Sequence, residues 1–153
     1  NQMEFKDMQS NKNRLVILVS IFILTTARIV LAGQETLVTG IVTKVRDGDT
    51  IEIGGVPIRL KGVSAPELKE RFGRASRSFM VNLTLGKPVS CQLSGKKTYD
   101  RFVGTCYLAN SDIGAEIIKA GLALDCKKFS GGIYKAFETT VGRAQITLPR
   151  YCH

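Results

Sequence analysis

Histidine is nearly absent: the single one among 153 residues is the terminal His153, so a histidine-based catalytic triad is excluded. The four cysteines never take C-x-x-C spacing, which removes zinc ribbons and thioredoxin-like redox sites. Proline is sparse, 4 against 15 glycines, while 44% of residues are hydrophobic and 23% charged. Collagen and disorder are thereby excluded, and one ordinary globular domain is expected. An unbroken apolar run of about 20 residues, the length a membrane-spanning helix needs, is missing as well. No internal repeat or low-complexity tract is present. Asp47-Gly48-Asp49 does not open an EF-hand, because Ile58 stands where the twelfth-position glutamate belongs. GVSAP at 62–66 lacks the second glycine of a nucleophile elbow, so Ser64 is not an acyl-enzyme nucleophile.

Positive charge is abundant: 22 Lys plus Arg against 13 Asp plus Glu give +9, a surplus that favours polyanionic partners, nucleic acid or an anionic membrane surface. The segment 15–27, LVILVSIFILTTA, is preceded by Lys12 and Arg14 and closed by Arg28, with Val30 and Ala32 before a cut ahead of Gly33. A basic flank, a short apolar stretch and small residues at the cut are the pattern of a secretory signal. Residues 1–32 are therefore expected to be a signal peptide, or an anchor if uncleaved, and 33–153 the functional domain, periplasmic or secreted. Removing 1–32 takes four basic and two acidic residues, so the +9 of the chain becomes +7. Export to an oxidising compartment favours disulfides among Cys91, Cys106, Cys126 and Cys152.

Residues 35–46 alternate apolar and polar side chains over β-branched positions, as a half-buried strand does. Residues 50–53 and 56–60 read as two further strands around the hairpin signal Gly54-Gly55. Past Pro66, Ala75, Phe79, Met80 and Leu83 recur at helical spacing, with Gly86 as a stop. Residues 88–93 and 102–108 are strand-like and joined by the polar stretch SGKKTYDR; Asp112 is a helix cap, and a last helix is expected over 133–146 with Tyr134, Phe137 and Val141 on its stripe. Three strands, a helix, two strands and a helix are the order of a five-stranded Greek-key barrel of the oligonucleotide-binding type, mainly β with about three helices. Cys91 and Cys106 fall in the strands flanking SGKKTYDR and are expected to pair, leaving Cys126 for Cys152.

Asp47 and Asp49 in the glycine turn could offer oxygens to a hard cation such as calcium, or simply satisfy turn amides. Arg59 projects from the strand face opposite Ile58 and Leu60, and Glu67 follows the proline-stiffened loop. A guanidinium and a carboxylate can thus face one site, or form a surface ion pair.

RDGDT at 46–50, IRLKGVSAPE at 58–67, TYDRFVGTCYL at 98–108 and AGLALDC at 120–126 together resemble the staphylococcal nuclease, or thermonuclease, family over roughly residues 38–146. The resemblance implies the oligonucleotide-binding barrel and calcium-dependent hydrolysis of DNA and RNA phosphodiesters. It implies Asp49 as a calcium ligand with Asp47 beside it, Arg59 and Arg101 as catalytic arginines and Glu67 as catalytic glutamate. Tyr99 then lies beside the nucleotide phosphate, and Lys127 and Phe129 stand where the family has aromatics flanking the base; on charge alone, Lys96, Lys97, Arg101, Lys127 and Lys128 are the candidates to line a groove for the polyanion. Ser64 occupies a position where the family has a ligating aspartate, while Ala65 can still give a backbone carbonyl, so calcium is expected to bind weakly. The family's C-terminal tryptophan is missing, replaced by LPRYC at 148–152. The implied activity is that of an exported nuclease acting on DNA and/or RNA, single strands favoured, with no obligate protein partner inferred. A catalytically impaired nucleic-acid-binding barrel is the rival, favoured by Ser64.

Overall fold

The computed structural model describes residues 36–153; the expected export signal lies outside the described residues. Strand β1 (Thr36–Val45) pairs Val42 with Ile53 and then Lys44 with Glu52, so Thr43 is an extra residue on its side of the ladder. This bulge lets Val42 and Val45, three residues apart, both enter the core. β2 (Thr50–Ile53) and β3 (Val56–Leu60) turn at Gly54 and Gly55, whose φ of +56° and +84° suit residues without a Cβ. Next come the two-residue strand β4 (Val63–Ser64) and helix α1 (Gly73–Thr84).

The buried stripe of α1 is Gly73, Ser76, Met80 and Thr84, with Ala75 exposed and Phe79 and Leu83 half-buried. It is thus displaced from the apolar stripe expected on sequence. Two hydroxyls make this possible: Ser76 donates to the Leu122 carbonyl at 2.7 Å and Thr84 to that of Met80 at 2.7 Å, so neither is buried unsatisfied.

Strand β5 (Pro88–Thr98) and strand β6 (Arg101–Leu108) run further than expected. Most of SGKKTYDR is not a connecting loop but a ribbon, with Lys97 opposite Phe102 and Thr98 opposite Arg101, and only Tyr99 and Asp100 turn the chain. After β7 (Ser111–Asp112), helix α2 (Ile113–Lys119) begins where the Asp112 carboxylate accepts the amides of Gly114 and Ala115. β8 (Leu124–Asp125) pairs antiparallel with β4.

After a short helix α3 (Lys127–Ser130), the single helix expected over 133–146 is replaced by a 3-10 turn (Lys135–Phe137) and α4 (Thr140–Gln145). Glu138 causes the break, because its buried carboxylate accepts the Asp125 amide at 3.0 Å and the Lys135 ammonium at 2.7 Å. Thr139 then caps α4. Of the expected stripe only Tyr134 is buried, while Phe137 and Val141 are 41% and 60% exposed. A second 3-10 turn, Arg150–Cys152, ends the chain.

The sheet runs β3-β2-β1-β5-β6, and β6 also pairs with β3 in parallel, Ile58 opposite Phe102 and Leu60 opposite Gly104. The five strands therefore close into a mixed barrel, leaving no free edge among them. Its core includes Val42, Ile51, Ile58, Met80, Val89 and Ile117. Cys91 is bonded to Cys106 across β5 and β6 inside the barrel, and Cys126 is bonded to Cys152 of the terminal turn.

Candidate active site

A cleft of about 510 Å³ opens where β3, the β5–β6 ribbon and the terminal turn meet. It is lined by Arg59, Glu67, Lys96, Lys97, Tyr99, Arg101 and Phe129, together with Lys61, Cys126 and Tyr151. Strand register explains the convergence. Arg59 leaves β3 on the face away from the core, and the parallel pairing of β3 with β6 brings the start of β6, and so Arg101, alongside. Tyr99, with φ +56°, is 92% exposed at the ribbon tip, and the Arg101 guanidinium lies 5.9 Å from its ring centre. Lys127 is not part of the cleft lining.

The Asp47–Thr50 turn lies beside the Ala65 loop. A Cβ on Gly48 would come within 2.6 Å of that of Ala65 and 2.7 Å of that of Ser76, so only glycine allows the approach. Asp47 accepts the Asp49 amide at 2.9 Å, the bland turn role open to it on sequence. Asp49 is 4% exposed, and its carboxylate accepts from Arg59 Nη1 at 2.7 Å, the Thr50 hydroxyl at 3.0 Å and the Ala65 amide at 3.4 Å. Burial pushes the Asp49 carboxyl up to about 7, with Asp47 adding to the rise, against the opposing pull of Arg59, Thr50 and the Ala65 amide.

Arg59 therefore has Asp49 as its ion-pair partner, not the Glu67 that spacing alone suggested. Glu67 is exposed, and its amide donates to Glu70 at 2.8 Å. Ser64 is buried in β4, opposite Leu124 of β8. Among the described residues, no group of three or more His, Cys, Asp or Glu side chains is arranged to hold a metal. The carboxylates at the turn are those of Asp47 and Asp49, oxygen donors of the kind a hard cation takes, and both already accept hydrogen bonds within the fold.

Three features escaped sequence reasoning. Thr50 lies directly opposite Arg59, a register that the two-glycine hairpin encodes and that could have been counted out. Arg46 bridges Glu52 at 2.6 Å and Asp100 at 2.7 Å, pinning the ribbon tip to β2. Tyr151 reaches the cleft through the terminal disulfide and lies 6.3 Å from the Phe129 ring. Neither of the last two leaves a local signal.

The structure is thus a closed five-stranded barrel that brings two arginines and a glutamate to a lysine-rich cleft. The family model described as staphylococcal nuclease homologue matches residues 57–145. The chain belongs to that family. A succinoglycan biosynthesis protein of Rhizobium meliloti (strain 1021) is 37% identical over 106 residues, covering 61% of this chain and 56% of that protein. An uncharacterized endonuclease of Haemophilus influenzae is 28% identical over 123 residues, covering 77% of this chain and 68% of its own length. A probable staphylococcal-like nuclease of Oryza sativa subsp. japonica is 38% identical over 72 residues, covering 47% of this chain and 19% of that protein. The chain thus spans little more than half of the first of these relatives and a fifth of the last.

Proposed function

We propose that this domain hydrolyses phosphodiester bonds of DNA and/or RNA, favouring single strands, with calcium as its metal and outside the cytoplasm. The observation that carries the proposal is the meeting of Arg59, Arg101 and Glu67 at one basic cleft in a chain of the nuclease family. Attack by water adds negative charge to the phosphoryl oxygens, and two guanidiniums can hold those oxygens through paired N–H donors. Glu67, exposed at the cleft, would orient or deprotonate the water. Calcium would be held by Asp49, Asp47, the Ala65 carbonyl and Ser64, and when bound it supplies charge neutralisation. Lys96, Lys97 and Lys61 would carry flanking phosphates, and Tyr99 and Phe129 would meet the nucleotide. Export is supported by the two disulfides, since such bonds persist in oxidising compartments.

A second reading, a nucleic-acid-binding barrel without turnover, is favoured by Ser64 and by the engagement of Asp49 with Arg59. Incubating the purified chain with heat-denatured DNA, with calcium or with chelator, separates the two. Calcium-stimulated cutting supports the nuclease, retention without cutting supports the binder, and the absence of both removes the nucleic-acid role.

A further inference from the structure

Thr50 is wholly buried and sits opposite Arg59 in the β2–β3 ladder. Its hydroxyl is used in both directions. It accepts from Arg101 Nη1 at 3.1 Å and donates to Asp49 Oδ1 at 3.0 Å. The same Oδ1 accepts from Arg59 Nη1 at 2.7 Å. Two guanidiniums carried by different strands, β3 and β6, are thereby tied through one hydroxyl and one carboxylate oxygen. Among the described residues, each of these guanidiniums donates only through Nη1, which leaves its other N–H groups for a ligand. Like charges repel, and the shared acceptors hold both guanidiniums at the cleft without consuming their remaining N–H groups.

We propose that Thr50 is a positioning residue for the phosphodiester hydrolysis argued above, its hydroxyl setting the spacing of Arg59 and Arg101 so that both engage one phosphoryl group. This rests on that hydrolytic role. Thr50 touches no substrate; it acts through Arg101 directly and through Asp49 on Arg59. A valine in its place keeps the branched shape and loses both hydrogen bonds, whereas a serine keeps the hydroxyl and loses the methyl group. Packing and positioning therefore rank the two variants in opposite order.

The test measures kcat and KM of the full chain on a single-stranded oligonucleotide in calcium, for wild type, Thr50→Val and Thr50→Ser, with urea unfolding of each. A hydrogen bond to a charged group has a strength corresponding to about ten- to a hundredfold, so Thr50→Val is expected to lose that factor in kcat with KM changed by less than about threefold. Thr50→Ser is expected to stay within about threefold of wild type despite its lost methyl group. In the Arg101→Ala background, Thr50→Val is expected to cost clearly less than it does in wild type, because the pair acts as a unit. If Thr50→Val lacks a cooperative unfolding transition, Thr50→Ala against Thr50→Ser isolates the hydroxyl with the methyl absent from both. A serine variant as impaired as the valine or alanine variant, in a wild type that cuts, overturns the positioning role and leaves the nuclease standing. A wild type that does not cut overturns both.

Discussion

Replacing Cys126 and Cys152 together by serine opens a loop whose ends are 26 residues apart in sequence. In the chain-entropy account, closing a loop of that length removes about 12 cal/mol/K from the unfolded ensemble, so its loss destabilises the fold by about 3.5 kcal/mol at 25 °C. For a domain of this size, each kcal/mol is a shift of about 4 °C, and the melting temperature is expected to fall by about 14 °C. The damage has a definite place. Cys152 is buried in the terminal turn while Cys126 lines the cleft and donates its amide to Gly62 at 2.8 Å. Releasing the turn withdraws Tyr151 from the Phe129 side of the cleft, whereas the Asp49–Arg59 pair, built on β2 and β3, stays. Urea unfolding under non-reducing conditions measures the stability of wild type and double variant, and oligonucleotide binding measures the cleft. A variant within about 1 kcal/mol of wild type would refute the loop-entropy reasoning, since cross-links of this span typically contribute about 2 to 4 kcal/mol.

Three further outcomes are expected. The folded Asp49 carboxyl titrates near 7, above its ordinary 3.8, so the fold binds that proton more tightly than the unfolded chain does. Its contribution to stability falls as pH rises from about 4 to about 7 and is level beyond. Calcium needs the ionised form, and the calcium-induced rise in melting temperature is expected to grow through that same range; a rise independent of pH contradicts the assignment. Binding to single-stranded DNA is expected to weaken with salt, each neutralised phosphate adding about 0.7 to the log–log slope. Neutralising Lys96 and Lys97, which line the cleft, should flatten the slope more than neutralising Lys127 and Lys128; equal effects would remove the cleft from the binding path. Ser64→Asp adds a carboxylate at a buried position next to Ala65, whose amide reaches Asp49, so the calcium-free melting temperature should drop and the calcium-induced rise should increase. Unchanged values on both counts would show that Ser64 is not at the cation site.

Local rules carried the parts of the fold whose cause is local. Gly54 and Gly55 marked the hairpin because both need positive φ, and Asp112 marked a helix start because its carboxylate meets the first free amides. The α1 stripe misled because Ser76 and Thr84 count as polar in a pattern, yet their hydroxyls find carbonyls and can be buried. The continuous C-terminal helix failed on Glu138, whose partner Asp125 belongs to another element. At the cleft, Arg59, Glu67 and Arg101 were legible as charged residues in a family-like order. The Asp49–Arg59 pair and the Arg46 clamp on Asp100 were not, because they depend on how separate strands meet.

The central claim is tested most directly by the rate at which the full chain cuts heat-denatured DNA in calcium, measured beside Arg59→Ala and Arg101→Ala. Losing one contact to transition-state charge typically costs about 3 to 4 kcal/mol. Cutting by wild type, abolished by chelator and lowered about a hundred- to a thousandfold in each variant with cooperative unfolding retained, is the expected result. A wild type that does not cut, or variants that cut as fast, would contradict the account.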